Sequence, residues 1–115
     1  GGHELVLGDL TLTFLHTPGH TPGSICMMAR DRLIAGDTLF VGGCGRCDLP
    51  GSDPELMHKS LSRLSRLDEK ITLYPGHNYA PKPSSLISEE KSYNPFLQAE
   101  SLEQFLGLIG AVRNK

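Results

Sequence analysis

Three residues of types that bind metal ions follow strand-like runs in the same way, each directly after a glycine: His20, Asp37 and His77. Glycine lets the backbone crowd close to a site. If the three strands share a sheet and run in the same direction, their ends meet at one edge. Two imidazoles and one carboxylate suit Zn²⁺ and also non-haem Fe(II). The spacing therefore predicts a metal site, although a single loop histidine more often only stabilises a turn and Gly-Asp after a strand is often only a turn.

The loop that carries His20 is unusually rich in turn residues. It runs over residues 16–24 and contains two Pro-Gly pairs, one on each side of the histidine. Proline sets its own φ and glycine accepts positive φ, so each pair fixes a tight reversal of the chain. We therefore expect His20 on a short, stiff loop at the end of a strand.

The elements that must position these residues can be read from the apolar pattern. Alternation and β-rich composition predict strands over residues 4–7, 10–15, 24–29, 33–35 and 71–74. Helical spacing predicts helices over residues 54–67, from Ser84 or Ser85 to 93, and 101–112, the first capped by Asp53 with Pro54 at its first position. Residues 42–54 are predicted to be a loop, and residues 81–83 extended. The order indicates an α/β chain, with helices on one face of a mixed sheet.

Composition excludes several functions. The 115 residues suggest one domain, and 11 basic against 13 acidic residues give a net charge of −2 without a basic run, so we expect no nucleic-acid partner. The apolar runs are too short to span a bilayer, so we expect no membrane partner. Three cysteines, an odd and low number, argue against a disulfide scaffold and for a reducing, cytoplasmic compartment.

Three motifs together resemble the later motifs of the metallo-β-lactamase-fold superfamily: Thr17-Pro-Gly-His-Thr-Pro-Gly-Ser24, Gly36-Asp-Thr-Leu-Phe40 and Tyr74-Pro-Gly-His77. Two further stretches, Gly43-Cys-Gly-Arg46 and Glu89-Glu-Lys with Asn94-Pro95, are similar to its glyoxalase II (hydroxyacylglutathione hydrolase) and persulfide dioxygenase branches. The resemblance implies an αββα sandwich. Residues 1–115 would be its C-terminal half, a mixed sheet with helices on one face.

The resemblance also implies roles for residues. His20 would bind the first of two metals, Asp37 would bridge both and His77 would bind the second, with Zn expected and Fe or Mn possible. Asp37 would help to orient a metal-bound hydroxide that attacks a thioester or related ester, which makes it the catalytic carboxylate. Arg46 would lie beside a glutathione-derived substrate, and Tyr79 could place a hydroxyl near the metals. Surface pairing of Arg46 with a nearby aspartate and simple packing of Tyr79 are the plainer alternatives.

Three functions remain open. The first is a metallo-hydrolase of the glyoxalase II type. The second is an Fe(II) persulfide dioxygenase acting on glutathione persulfide, in which His20 and Asp37 would bind iron with one upstream histidine and His77 would not. The third is an inactive fragment or subunit, because the superfamily's first motif, His-x-His-x-Asp-His, is absent from the sequence. We therefore expect the chain to need an N-terminal half, or to self-associate.

The cysteines are predicted to have no chemical role. Cys44-Gly-Arg-Cys47 has the C-x-x-C spacing of redox motifs and of half a zinc knuckle, but it does not open a helix after a strand and has no second pair. We expect these thiols to be structural or incidental. Cys26, inside an apolar strand, is expected to be a small buried residue.

Overall fold

The computed structural model describes residues 2–47, 50–76 and 84–113. Four consecutive strands joined by tight turns form an antiparallel meander: β1 (Gly2–Leu7), β2 (Leu10–His16), β3 (Ile25–Ala29) and β4 (Arg32–Gly36). The β1–β2 and β3–β4 links have two residues each. Gly8 and Arg30 supply the positive φ that such short links need, at 62° and 57°.

After the meander the chain crosses over the sheet and returns parallel to β4. A small separate hairpin, β5 (Leu39–Phe40) and β6 (Gly43–Cys44), precedes helix α1 (Pro54–Ser65). Strand β7 (Thr72–Pro75) then pairs in parallel with β4, and β8 (Ser85–Leu86) pairs antiparallel with β7. The sheet order is β1-β2-β3-β4-β7-β8, and β8 is followed by the helices α2 (Ile87–Tyr93), α3 (Pro95–Gln98) and α4 (Leu102–Arg113).

The sheet has one core face and one open face. On the core face, strand residues such as Leu33 and Leu73 pack with residues from all four helices, among them Leu61 of α1 and Phe105 of α4, in one buried cluster. The prediction of an α/β fold with helices on one face of a mixed sheet is confirmed. None of the described helices is both long and apolar enough to cross a membrane.

The open face carries the alternate side chains of the same strands and is largely apolar. In register they align across the sheet, and several are more than one third exposed: Leu5, Leu7, Ile25, Ile34, Tyr74 and Leu86. A sheet normally buries its apolar faces against a second layer. Within the described residues this face has no such layer.

Helix α1 begins as predicted, because the Asp53 carboxylate accepts hydrogen bonds from Glu55 N and Leu56 N at 2.9 and 3.3 Å, with Pro54 at the first position. It ends at Ser65, two residues before the predicted end.

Other predicted boundaries were wrong. The cap at Ser84 or Ser85 is not formed, since Ser85 pairs with β7 and the helix starts at Ile87. The predicted loop 42–54 begins instead with strand β6. Helix α3 was not predicted, and residues 81–83 lie outside the described residues.

Candidate metal centre

The strand directions bring the predicted ligand loops to one edge of the sheet. Strands β2 and β4 run the same way because each is antiparallel to β3, and β4 and β7 are parallel. His20 follows β2 and Asp37 follows β4, so both lie at the same end of the sheet. The side chains meet: His20 Nε2 is 3.9 Å from Asp37 Oδ2.

The loop that carries His20, between β2 and β3, is fastened through its own carbonyl groups to α1 and to the two residues just before it. Asp53 N donates to Gly19 O at 2.7 Å, Ser60 Oγ donates to Pro18 O at 2.8 Å, and Ser52 Oγ donates to His20 O at 2.7 Å. These bonds hold three successive residues of the loop. His20 is therefore presented by a segment that cannot shift without moving α1.

Close packing at Gly19 explains why glycine precedes this histidine. Gly19 has φ of 146°, which side-chain-bearing residues rarely adopt. A Cβ there would lie 2.5 Å from the Met57 Cα in α1. The loop thus lies directly on the helix backbone.

The His20 ring has a defined tautomer because its Nδ1 lies 2.8 Å from the carbonyl oxygen of Arg46. A carbonyl only accepts, so Nδ1 carries a proton, and in the neutral imidazole it is Nε2 that has the lone pair. Nε2 is the atom that faces Asp37. The side chains of His20 and Asp37 are 20% and 41% exposed, so the pair is reachable from solvent.

Asp37 lies in a turn that is crowded by the segment after β6. Thr38 N donates to Ala35 O at 3.0 Å and closes the turn, and Gly45 N donates to Thr38 O at 3.1 Å. The backbone of Gly45 packs so closely that a Cβ there would overlap the Asp37 carbonyl oxygen and lie 3.3 Å from His20 Cβ. Gly45 therefore lies against both members of the pair, and the next residue, Arg46, contacts His20.

A small polar cluster lies under the loops. The buried hydroxyls of Thr17 and Thr38 are 3.2 Å apart, and Thr17 Oγ1 is 3.3 Å from Cys26 Sγ. Burial raises the pKa of the Cys26 thiol, so it is a neutral partner in this cluster. The cluster links the end of β2 to the turn after β4. Cys26 is therefore a small buried residue, as predicted.

The third predicted ligand, His77, lies outside the described residues, as does Tyr79. The residue before His77 is described: Gly76 N donates to Gly36 O at 2.7 Å, and a Cβ on Gly76 would be 2.8 Å from that oxygen. The glycines before Asp37 and before His77 are thus in contact. Within residues 2–47, 50–76 and 84–113, no third His, Cys, Asp or Glu joins a cluster of ligand type.

The donors that are described fit a divalent metal. An imidazole nitrogen and a carboxylate oxygen bind such an ion at about 2.0–2.2 Å each, so two of them sharing it stand about 3–4 Å apart. The Nε2–Oδ2 separation of 3.9 Å lies in that range. The Nδ1–H bond to Arg46 O is the outer contact that orients metal-binding histidines.

Two other histidines make contacts within the fold, away from the His20–Asp37 pair. His58 lies on α1, with its ring centroid 5.4 Å from that of Phe105. The His16 ring is hydrogen-bonded to Pro22 O at 2.7 Å and so stabilises the loop it begins.

The role of the Arg46 backbone was missed at the sequence level. Arg46 was predicted as a substrate-binding side chain; it is exposed, and its carbonyl is what holds His20. No residue type signals a carbonyl acceptor. Gly45, which directly precedes Arg46, was the one sequence feature that indicated a close approach of the backbone here.

Comparison with known proteins agrees with this fold. The model of the metallo-beta-lactamase superfamily matches residues 1–77, and the chain belongs to that superfamily. Within it, the resemblance to the glyoxalase II and persulfide dioxygenase-like branch is confirmed.

Three relatives illustrate the match. A hydroxyacylglutathione hydrolase of Anaeromyxobacter dehalogenans is 44% identical over 70% of this chain and 31% of its own length. The probable polyketide biosynthesis zinc-dependent hydrolase BaeB of Bacillus velezensis is 34% identical over 91% of this chain and 47% of its own. The crystal structure of ETHE1 from Myxococcus xanthus superposes with a TM-score of 0.88 at 37% identity, over 96% of this chain and 50% of that one. The chain thus spans about half or less of these relatives' length.

Proposed function

We propose that the chain supplies His20, Asp37 and His77 to a hydrolytic metal centre that cleaves a thioester of a glutathione-derived substrate. The observation that carries the proposal is the His20–Asp37 pair, in which the Arg46 carbonyl leaves Nε2 as the atom available to a metal. The contact between Gly76 and Gly36 supports His77 as the next ligand.

Each residue has a distinct task. His20 would donate the Nε2 lone pair to the metal, while its Nδ1–H is held by the Arg46 carbonyl. Asp37 brings negative charge beside it, and its carboxylate can bridge two cations and accept a proton from a water molecule. Bound metal, with zinc expected and iron or manganese as alternatives, supplies Lewis acidity toward the thioester carbonyl and lowers the pKa of water.

Substrate recognition falls to groups beside the pair. The Arg46 guanidinium is on an exposed residue whose backbone is fixed by His20, so it can form a bidentate bond with a carboxylate of a glutathione-derived substrate. Tyr79 is proposed as a hydroxyl donor near the metals. A hydroxyacylglutathione hydrolase among the relatives favours this substrate class.

The donor set of this chain is proposed to be one part of a complete site. We assign residues 1–115 to the C-terminal half of the domain, because relatives are about twice as long or longer and the motif His-x-His-x-Asp-His is not in the sequence. A site with only two described donors is incomplete and is expected to bind a metal ion weakly. The chain alone is therefore expected to be inactive, as in the fragment hypothesis.

A second candidate is an Fe(II) dioxygenase that acts on glutathione persulfide. It is favoured by the similarity to ETHE1 across nearly the whole chain. In this alternative His20 and Asp37 are the only ligands from the chain, and His77 is not required.

The test uses the chain alone and the chain mixed with a polypeptide that carries the His-x-His-x-Asp-His segment of a hydroxyacylglutathione hydrolase. Metal content is measured by elemental analysis, thiol release is followed with a hydroxyacyl-glutathione, and oxygen uptake is followed with glutathione persulfide. We expect thiol release only in the mixture. Asp37→Asn should lower kcat/KM at least about 100-fold, and Arg46→Ala should raise KM about 10-fold with little change in kcat.

The outcomes separate the candidates. Oxygen uptake with one Fe per unit, unaffected by His77→Ala, would replace the hydrolase with the dioxygenase. If the mixture binds metal and this binding depends on His20, but neither thiol release nor oxygen uptake is seen, both proposed substrate classes are wrong. Metal binding that His20→Gln leaves unchanged contradicts the site itself.

A further inference from the structure

The β5–β6 hairpin begins and ends at the candidate site. Asp37 lies just before it, and its open end is closed by the hydrogen bond from Gly45 N to Thr38 O at 3.1 Å. Its strands have two residues each and form a sheet of their own, separate from the six-stranded sheet. So short a ribbon is not stable by itself, so its position depends on the groups that hold it.

The far end of the hairpin is held by two buried side chains at the end of α2. Glu90 Oε1 accepts from Gly42 N at 2.9 Å, and Asn94 Nδ2 donates to Phe40 O at 3.3 Å and to Gly43 O at 3.0 Å. Asn94 Nδ2 also donates to Glu90 Oε1 at 2.9 Å, so the two side chains form one unit. They are 3% and 0% exposed. Hydrogen bonds to a buried carboxylate are strong and directional, so this unit fixes the far end.

The end of the hairpin at the site has no room to move by itself. A Cβ on Gly45 would overlap the Asp37 carbonyl oxygen and lie 3.3 Å from His20 Cβ. The next carbonyl, that of Arg46, accepts the His20 Nδ1–H bond at 2.8 Å. A displacement of the hairpin therefore changes the contact that sets the tautomer of His20.

We propose that Glu90 and Asn94 are positioning residues for the candidate metal centre, because through the β5–β6 hairpin they hold the Arg46 carbonyl where it keeps a proton on His20 Nδ1. They act through the backbone of the hairpin and not by contact with metal or substrate. The role at a metal centre rests on the proposed function, whereas the effect on the His20 tautomer does not. If Glu90 and Asn94 only stabilised the fold, a folded variant would keep that tautomer.

Three variants on α2 separate positioning from stability. Glu90→Ala removes the acceptor of Gly42 N. Glu90→Gln keeps a side-chain oxygen that can accept the same bonds. Ile87→Ala is the matched control: it truncates a buried apolar side chain of the same helix, which lowers stability but removes no hydrogen bond from the hairpin. Circular dichroism confirms that each variant is folded before the tautomer is measured.

The readout is the tautomer of His20 in the metal-free chain. Long-range ¹H–¹⁵N correlation spectra at pH about 8, where histidine is neutral, distinguish the protonated from the unprotonated ring nitrogen. His20→Gln assigns the signals. We expect the Nδ1–H form in the wild-type chain, in Glu90→Gln and in Ile87→Ala. In Glu90→Ala the share of this form should fall at least about two-fold, because the hydrogen bond that selects it is weakened.

The contrary outcomes are defined. An unchanged tautomer in folded Glu90→Ala, the same loss in Ile87→Ala, or no rescue by Glu90→Gln overturns the positioning role. If Glu90→Ala does not fold, hydrogen exchange of the wild-type chain decides. The amides of Gly42 and Gly45 should then have protection factors within about three-fold of each other, because the hairpin opens as one unit. A Gly45 amide that exchanges much faster than that of Gly42 overturns the proposal.

Zinc binding separates this proposal from the proposed function. Zn²⁺ is titrated into the mixture with the polypeptide that carries His-x-His-x-Asp-His, using the wild-type chain, Glu90→Ala and His20→Gln. Binding about 10-fold weaker in Glu90→Ala supports both proposals. A tautomer that shifts in Glu90→Ala, together with a Zn²⁺ affinity that His20→Gln leaves unchanged, supports the positioning of His20 and contradicts the metal centre.

Discussion

At the scale of residues, the candidate site depends on backbone groups as much as on side chains. His20 and Asp37 were predicted from residue type and spacing, and the structure brings them to 3.9 Å. The Arg46 carbonyl orients the His20 ring so that Nε2 faces Asp37. Asp37 is positioned by the turn that Thr38 N closes on Ala35 O, against which Gly45 packs. Carbonyl positions depend on tertiary packing, so the sequence could indicate the candidate ligands but not their orientation.

A glycine substitution tests that dependence on backbone packing. Gly19→Ala should lower the free energy of unfolding by about 2–4 kcal/mol, because the new Cβ meets the Met57 backbone and the residue is strained at φ of 146°. Urea unfolding followed by circular dichroism measures the loss. Gly23→Ala is the matched control: it lies in the same loop, has no atom within 4 Å of the new Cβ, and should change stability by less than about 1 kcal/mol. Equal effects of the two substitutions would contradict the packing argument.

At the scale of elements, helices with strong local signals were predicted well and short pieces were not. The cap and the apolar spacing that define α1 lie within one continuous stretch of sequence, and the start of the helix agrees with the prediction. Strand β8 has two residues, and only its pairing with β7 makes it a strand. Helix α3 likewise begins where Asn94 accepts from Phe96 N at 3.0 Å. Such elements depend on partners distant in sequence.

The same asparagine fastens the C-terminal helices to the segment that precedes the site. Asn94 is fully buried, and its Nδ2 donates to Phe40 O, Gly43 O and Glu90 Oε1. Glu90 Oε1 also accepts from Gly42 N at 2.9 Å. In the sequence the Glu-x-x-x-Asn pattern indicates only a family resemblance, and the structure gives it a physical role.

Removing the Asn94 side-chain amide should lower the free energy of unfolding. Asn94→Ala leaves buried acceptors at Phe40, Gly43 and Glu90 without that donor, so we expect a loss of about 2–4 kcal/mol in the free energy of unfolding, measured by urea denaturation. Gln98→Ala is the control, because its amide also bonds two carbonyls but is exposed, and water can replace it. A similar loss in both variants would show that burial is not the cause.

At the scale of the whole molecule, the chain buries one face of its sheet and leaves the other apolar and exposed. Six strand residues on the open face are each between 37% and 55% exposed. Contiguous apolar surface of this kind promotes association. The alternation of apolar residues predicted the strands, but it could not show that the described part of the chain has no layer over the second apolar face.

We therefore expect the isolated chain to self-associate through the open face. Ile34→Glu places a charge at its centre and should shift the chain toward monomer in sedimentation velocity at several concentrations. Val6→Glu is the matched control, since Val6 is 65% exposed on the opposite face of β1. A monomeric wild-type chain, or equal effects of both variants, would contradict association through this face.

The order of strands has a consequence for the time course of folding. His20 and Asp37 are joined by one meander, β2 to β4, whose contacts are close in sequence, whereas Gly76 reaches Gly36 only after the crossover through α1. Short loops close faster than long ones. In pulsed hydrogen exchange during refolding, amides of β2–β4 should gain protection before Gly76 N, so the ligand pair would assemble before its neighbouring loop arrives.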